Sequence, residues 1–151
     1  MPDQTKPSPQ PDVRLDNQLC FALHAASHTV EQHYQALLKT QGLTYSQYLA
    51  LMALAEEDRI SISTLASRLQ VSKATMTPML RRLEEKGLLM REVQEGNERQ
   101  KIVSLTEAGR SIWSKSCGVS SEVFSRIGLS QADADEIIRI CTRIARGPAP
   151  G

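Results

Sequence analysis

Residues 62–89 read ISTLASRLQVSKATMTPMLRRLEEKGLL, and the fold turns on how this stretch divides. Ile62, Leu65, Ala66 and Leu69 recur at the spacing of one helix face. The pattern breaks at Gln70–Ser72, and the Ser72 hydroxyl is a helix cap. Met76, Met79, Leu80 and Leu83 then mark a second apolar face, which Gly87 ends. Two helices joined by a turn of about three residues form a helix-turn-helix. Pro78 leaves the boundary of the second helix open, because proline removes an N–H and crowds the preceding turn.

Two β-prone runs, Leu88–Val93 and Lys101–Leu105, follow and flank a polar tip, QEGNERQ. They predict a hairpin, which makes the helix-turn-helix winged. Upstream, apolar residues from Leu15 to Leu38 keep a helical period, with Asp16 or Asn17 as cap and Gly42 beyond the end. A second helix follows Thr44 and carries Tyr48, Leu51, Met52 and Leu54. Downstream, Thr106 caps a fifth helix over 107–127, and Ser130 caps a sixth over 131–145. The expected fold is mainly α with a small β-hairpin wing, in the order α-α-α-α-β-β-α-α.

The 151 residues suit one domain. Residues 1–13 read as a disordered, proline-rich arm, 14–146 as the folded domain, and 147–151 as a loose tail. Aromatics make up only 4% of the chain, which favours helices packed through Leu, Ile, Ala and Met. The net charge of +1 shows no global basicity, so a nucleic-acid site must be local. No apolar run reaches the roughly 18–20 residues that span a bilayer, and the N-terminus has no apolar core of a signal peptide. The expectation is a cytoplasmic protein with no membrane partner. There is no glycine-rich phosphate loop, no Ser/His/Asp pattern and no paired carboxylate constellation, so the sequence reads as neither an enzyme nor a cofactor binder.

The start of the second helix of the helix-turn-helix is small and polar: Ser72, Lys73, Thr75 and Thr77. Such residues enter a major groove and reach base edges or phosphates. Arg81 and Arg82 lie further along to meet phosphates, and Arg99 on the hairpin tip suits a narrow minor groove. Together they predict double-stranded DNA as partner. Reading a pseudo-palindromic site needs a two-fold axis. Leu15, Leu19, Val123, Phe124, Ile137, Ile140 and Ile144 form apolar stripes on the outer helices that a lone domain leaves uncovered, which predicts a homodimer. The DNA-binding part then spans about 44–105, and the dimerisation helices about 14–40 and 106–146.

The segments LTYSQYLALMALAE, TLASRL, TMTPMLRRLEEKGLL and NERQKIVSLTEAGR resemble the MarR family of winged-helix regulators. With LDNQLCFAL they are similar to the organic-hydroperoxide-sensing OhrR-type branch, related to the MgrA-type thiol-based regulators. The resemblance covers about residues 14–146. It implies a dimer built on the first, fifth and sixth helices, with two second helices reading one operator. The family wing usually carries Asp-x-Arg, whereas this chain has Asn97-Glu98-Arg99. The arginine carries over without its acidic partner.

Cys20 lies near a helix start, where backbone amides favour a thiolate and Asp16 opposes one. Peroxide attacks the thiolate and leaves a sulfenic acid. The bland reading is a small buried hydrophobe. In the resembling branch this cysteine is the sensor, held by one tyrosine four residues on and by two from the next segment, often of the partner subunit. Tyr34 and Tyr45 match those two, while His24 stands where the first tyrosine would be. Two-cysteine members carry a resolving thiol near the position of Ser125; Cys117 lies about two turns earlier and is the candidate resolver. Otherwise a low-molecular-weight thiol caps the sulfenic acid. Cys141, among isoleucines, reads as buried core. Two rivals stay open: a zinc site on Cys20, His24 and His28, and a repressor answering a small phenolic ligand. The resemblance favours a repressor that releases DNA on oxidation.

Overall fold

The computed structural model describes residues 13–148; the expected N-terminal arm lies almost wholly outside them, as does the end of the tail. The helices are α1 (Leu19–Leu38), α2 (Tyr45–Glu56), α3 (Ile62–Arg68), α4 (Lys73–Glu85), α5 (Glu107–Ser116), α6 (Val119–Ile127) and α7 (Gln131–Arg146). Three strands, β1 (Ile60–Ser61), β2 (Leu89–Gln94) and β3 (Asn97–Leu105), form an antiparallel sheet in the order β1-β3-β2.

Hydroxyl caps set most of the helix starts. Thr44 caps α2 with a reciprocal bond from Gln47, and Ser61, Ser72, Thr106 and Ser130 cap α3, α4, α5 and α7. The start of α1 differs from expectation. Residues Leu15–Asn17 form a separate 3-10 turn, and Gln18 precedes α1 without a side-chain cap bond. Pro78 sits inside α4 without ending it.

The predicted fifth helix is two helices, broken at Cys117–Gly118. The physical cause is local. Ser114 and Ser116 donate their hydroxyls to the carbonyls of Arg110 and Ile112, and Gly118 then adds backbone freedom. Strand β1 is too short for a periodic signal and follows Arg59, whose φ is 57°.

Tyr48, Leu51 and Leu54 of α2 form the centre of the core, packed with Leu65, Met76, Leu80, Leu83, Leu89 and Val103. The turn from α3 to α4 passes through Gln70 at φ 55°, a left-handed conformation that few side chains adopt. Asp58 joins the wing to α5: its carboxylate accepts the Leu105 N–H at 3.0 Å and pairs with Arg110.

Two outcomes follow from this packing. Gly109 lies against the wing base, where an added Cβ would stand 2.0 Å from the Leu88 carbonyl oxygen. Gly109→Ala therefore costs on the order of 1–3 kcal/mol or more, read as a lowered urea midpoint with an unchanged slope. Tyr48 has its phenol pushed up to about 12 by burial first, then by the fields of Tyr34, Cys117 and Tyr45. The folded state disfavours its phenolate while the unfolded chain ionises near 10, so its stabilising share is complete below that pH and is lost on the way to about 12. Denaturant melts of Tyr48→Phe should show a shallower loss of stability across that alkaline window.

Candidate nucleic-acid interface and thiol site

Helix α4 presents its N-terminal turn to solvent. Ser72, Lys73 and Thr75 are exposed, while Met76, Leu80 and Leu83 are buried and hold the helix to the core. Thr77 is half-buried, and its hydroxyl donates to the Lys73 carbonyl at 2.9 Å. Arg81 and Arg82 are exposed further along.

The wing differs from the sequence expectation. Pairing continues to Gln94↔Asn97, with an irregularity at Val93/Gln94, so the tip is Glu95–Gly96. Arg99 therefore lies within β3 and not on the tip. Its neighbours are Lys101, Arg91, Lys73, Thr77 and Ile62, which together line a concavity of about 200 Å³ between wing and α4. Arg91 is held by Glu84 at 2.7 Å, whereas Lys73, Arg99 and Lys101 have no ion pair among the described residues. Arg91 and Lys101 escaped the sequence reading. Their signal was the strand period: residues 99 and 101 share one face of β3, and Arg91 pairs with Val103 of that same face.

The thiol site is divided. Cys20 is exposed on the first turn of α1, and His24, one turn on, is also exposed. The His24 and His28 rings lie 6.5 Å apart and nearly parallel. No group of three or more metal-ligating side chains converges among the described residues, so Cys20, His24 and His28 form a stripe and not a cage. Tyr34 and Tyr45 meet at 5.2 Å between ring centroids, and the Tyr34 hydroxyl donates to Ser120 Oγ at 3.2 Å. Burial first, then the fields of Tyr34 and Glu31, raises the Tyr45 phenol above its usual range. A helix rises 1.5 Å per residue, so Tyr34 stands about 21 Å along α1 from Cys20. One protomer does not bring the thiol and the two tyrosines together.

Cys117 ends α5, exposed, with its thiol donating to the Trp113 carbonyl at 3.3 Å. Cys141 is half-exposed and not the buried core residue expected, because α7 has little packed over it. Leu15, Leu19, Ile137, Ile140 and Ile144 are exposed large apolar side chains. Val123 is a correction to that set: it is 2% exposed and belongs to the protomer's own core, with Phe124 half-buried beside it. An apolar cavity of about 550 Å³ lies between α1, α6 and α7, lined by Val30, Tyr34, Phe124, Ile127, Ile137 and Ile138 among others. No helix of the described residues is long and apolar enough to cross a membrane.

Residues 43–101 match the sequence model of the MarR family. The chain is 35% identical over 125 residues to the organic hydroperoxide resistance transcriptional regulator of Bacillus subtilis (strain 168), covering 83% of each chain. It is 36% identical over 124 residues to the HTH-type transcriptional regulator SarZ of Staphylococcus aureus (strain USA300), covering 82% of this chain and 84% of that one. Among solved structures, reduced AbfR bound to DNA superposes with a TM-score of 0.72 at 36% identity, over 88% of this chain and 91% of that one. The matches run over most of the length of this chain and of each relative, and the chain belongs to the MarR family of winged-helix transcriptional regulators.

Proposed function

We propose that this protein is a homodimeric DNA-binding repressor that senses organic hydroperoxide or a related oxidant through Cys20 and releases a pseudo-palindromic operator when oxidised. The observation that carries the DNA reading is the basic concavity in which Arg99, Lys101 and Lys73 converge beside the polar start of α4. Cations placed there neutralise phosphates and release counterions, while Ser72, Thr75 and Thr77 stand within reach of base edges. Arg81 and Arg82 extend the phosphate contacts along α4. AbfR, a relative at 36% identity, is seen bound to DNA in its reduced form, which supports the same role for this chain.

The exposed stripes of Leu15 and Leu19 on the N-terminal side and Ile137, Ile140 and Ile144 on α7 support the homodimer. Dimerisation also resolves the divided thiol site. A second copy can supply Tyr34 and Tyr45 to the Cys20 that its partner carries, with His24 donating from the thiol's own helix. Oxidation of the thiolate then forms a sulfenic acid, and a second thiol displaces water to leave a disulfide. Moving the operator-bound fraction from nearly all to nearly none takes about 5.5 kcal/mol of preference for the released state. One added oxygen is a small lever for that. A disulfide, with Cys117 or with a low-molecular-weight thiol, is a larger one within a packed interface.

A second reading has an observation of its own. The apolar cavity between α1, α6 and α7 is large enough for a small aromatic molecule and carries one phenol, Tyr34. A phenolic ligand held there would shift the outer helices without any thiol chemistry.

Band shifts separate the two readings. Cys20→Ser should bind operator as the wild type does and stay bound on treatment with an organic hydroperoxide. Release of the Cys20→Ser protein by peroxide would remove the thiol from the mechanism, and release by a phenolic ligand alone would favour the cavity. On the DNA side, Arg99→Ala should weaken binding across sequences and lower the salt slope by about one unit. Thr75→Ala should instead change base preference, at a cost of about 1–3 kcal/mol if a base edge is lost. Sedimentation should give a dimer at micromolar concentration; a monomer that still binds a full operator tightly would contradict the assembly.

A further inference from the structure

The chain has three tyrosines and one tryptophan, and all four stand in one continuous stack. Ring centroids step from Tyr45 to Tyr34 at 5.2 Å, from Tyr34 to Tyr48 at 5.5 Å, and from Tyr48 to Trp113 at 5.6 Å. One helical turn beyond the last ring, the thiol of Cys117 donates to the backbone carbonyl of Trp113 at 3.3 Å. The two phenylalanines, which do not oxidise readily, stand outside this stack at 21 and 124. Aromatic packing alone explains rings at these places, since tilted pairs at such distances are favourable. It does not explain why the most buried ring is a phenol. Tyr48 is 1% exposed, and its hydroxyl bonds to no other described residue, so phenylalanine would fill the same space.

We propose that this stack is a one-electron relay, which carries radical oxidation from Tyr34 and Tyr45 through Tyr48 and Trp113 to the exposed thiol of Cys117. The chemistry balances with an alkoxyl radical as oxidant. The radical takes a hydrogen atom from a phenol, giving an alcohol and a phenoxyl radical. An electron then moves to the phenoxyl along the stack from the Cys117 end. The phenoxyl regains a proton from solvent, while the Cys117 S–H loses its proton to solvent and becomes a thiyl radical. A low-molecular-weight thiolate adds to the thiyl and gives a disulfide radical anion. That species passes its extra electron to dioxygen, leaving superoxide and a neutral mixed disulfide. Phenoxyl, indolyl and thiyl couples lie close together at neutral pH, so each hop is nearly level. Removal of the thiyl sets the direction.

The relay is separate from two-electron thiol chemistry at Cys20 and holds whichever signal releases the DNA. Its effect would be to keep radical damage away from the phenols at the junction of α1 and α2, and to discharge it on a thiol that cellular reductants can restore.

Pulse radiolysis with the azidyl radical, which oxidises indoles and phenols, tests this on the full-length Cys20→Ser/Cys141→Ser protein. Phenoxyl formed at Tyr34 and Tyr45 should decay in a first-order step whose rate does not depend on protein concentration, as the oxidation passes through Tyr48 and Trp113 to Cys117. A nitrone spin trap should then be found on Cys117 by peptide mass spectrometry. Tyr48→Phe, added to that background, should slow that decay several-fold, lower the trapped yield at Cys117, and raise dityrosine and other products at Tyr34 and Tyr45. Cys117→Ser should prolong the phenoxyl signal without changing its initial yield. Trapping at Cys117 that is unchanged in Tyr48→Phe would mean direct attack on an exposed thiol and would overturn the relay. So would radical decay that scales with protein concentration. If Tyr48→Phe does not fold, the exposed Cys117→Ser substitution still decides: an unchanged phenoxyl lifetime there overturns the proposal.

Discussion

The length of α1 is the constraint on which the rest depends. It runs from Leu19 to Leu38 as one helix, carries Cys20 on its first turn and Tyr34 near its last, and holds them about 21 Å apart. No rotamer change closes such a gap. A thiol site that uses both must therefore be completed by a second copy, and in the proposed function the dimer would be part of the sensor. In that arrangement the thiol chemistry sits in a packed interface, where a small covalent change has a large mechanical effect.

The stack of Tyr34, Tyr48 and Trp113 links that interface to the DNA-reading surface. It joins α1 to α2 and α2 to α5, so under the proposed mechanism a shift of the outer helices would reach the element at the centre of the winged-helix core. From there α4 follows, held by Met76, Leu80 and Leu83. Asp58 ties the wing base to α5 through the Leu105 N–H and Arg110. The spacing of two such bodies across a dimer is what an operator measures.

Much of this was legible in the sequence because it is written locally. Ser72 before Met76 and Leu80, Thr44 before Gln47, and Thr106 before Gly109 are caps and faces that a linear pattern displays. The break of the long helix was not, because serine hydroxyls that bond back to Arg110 and Ile112 look the same as serines on a solvated face. The wing also paired further than its β-prone runs suggested: Asn97 is a poor strand former held in the ladder by Gln94, and Glu98 and Arg99 bulge between that pair and Val93↔Lys101. Burial was the hardest to read. Val123 and Ile137 look equivalent as apolar positions on outer helices, yet one is enclosed by the protomer and the other is open. Cys141 and its isoleucine neighbours fail the core expectation for the same reason, since no element of the described residues encloses them.

The central claim is that the Cys20 of one subunit is served by Tyr34 and Tyr45 of the other. A heterodimer tests it directly, pairing a Cys20→Ser subunit with a Tyr34→Phe/Tyr45→Phe subunit. The remaining thiol then faces intact tyrosines only if they act across the interface. Oxidation of that thiol by an organic hydroperoxide, followed by stopped-flow and intact mass, should proceed at the wild-type rate per site. A rate equal to that of the Tyr34→Phe/Tyr45→Phe homodimer would place the tyrosines' influence within one chain, or nowhere, and would contradict the account.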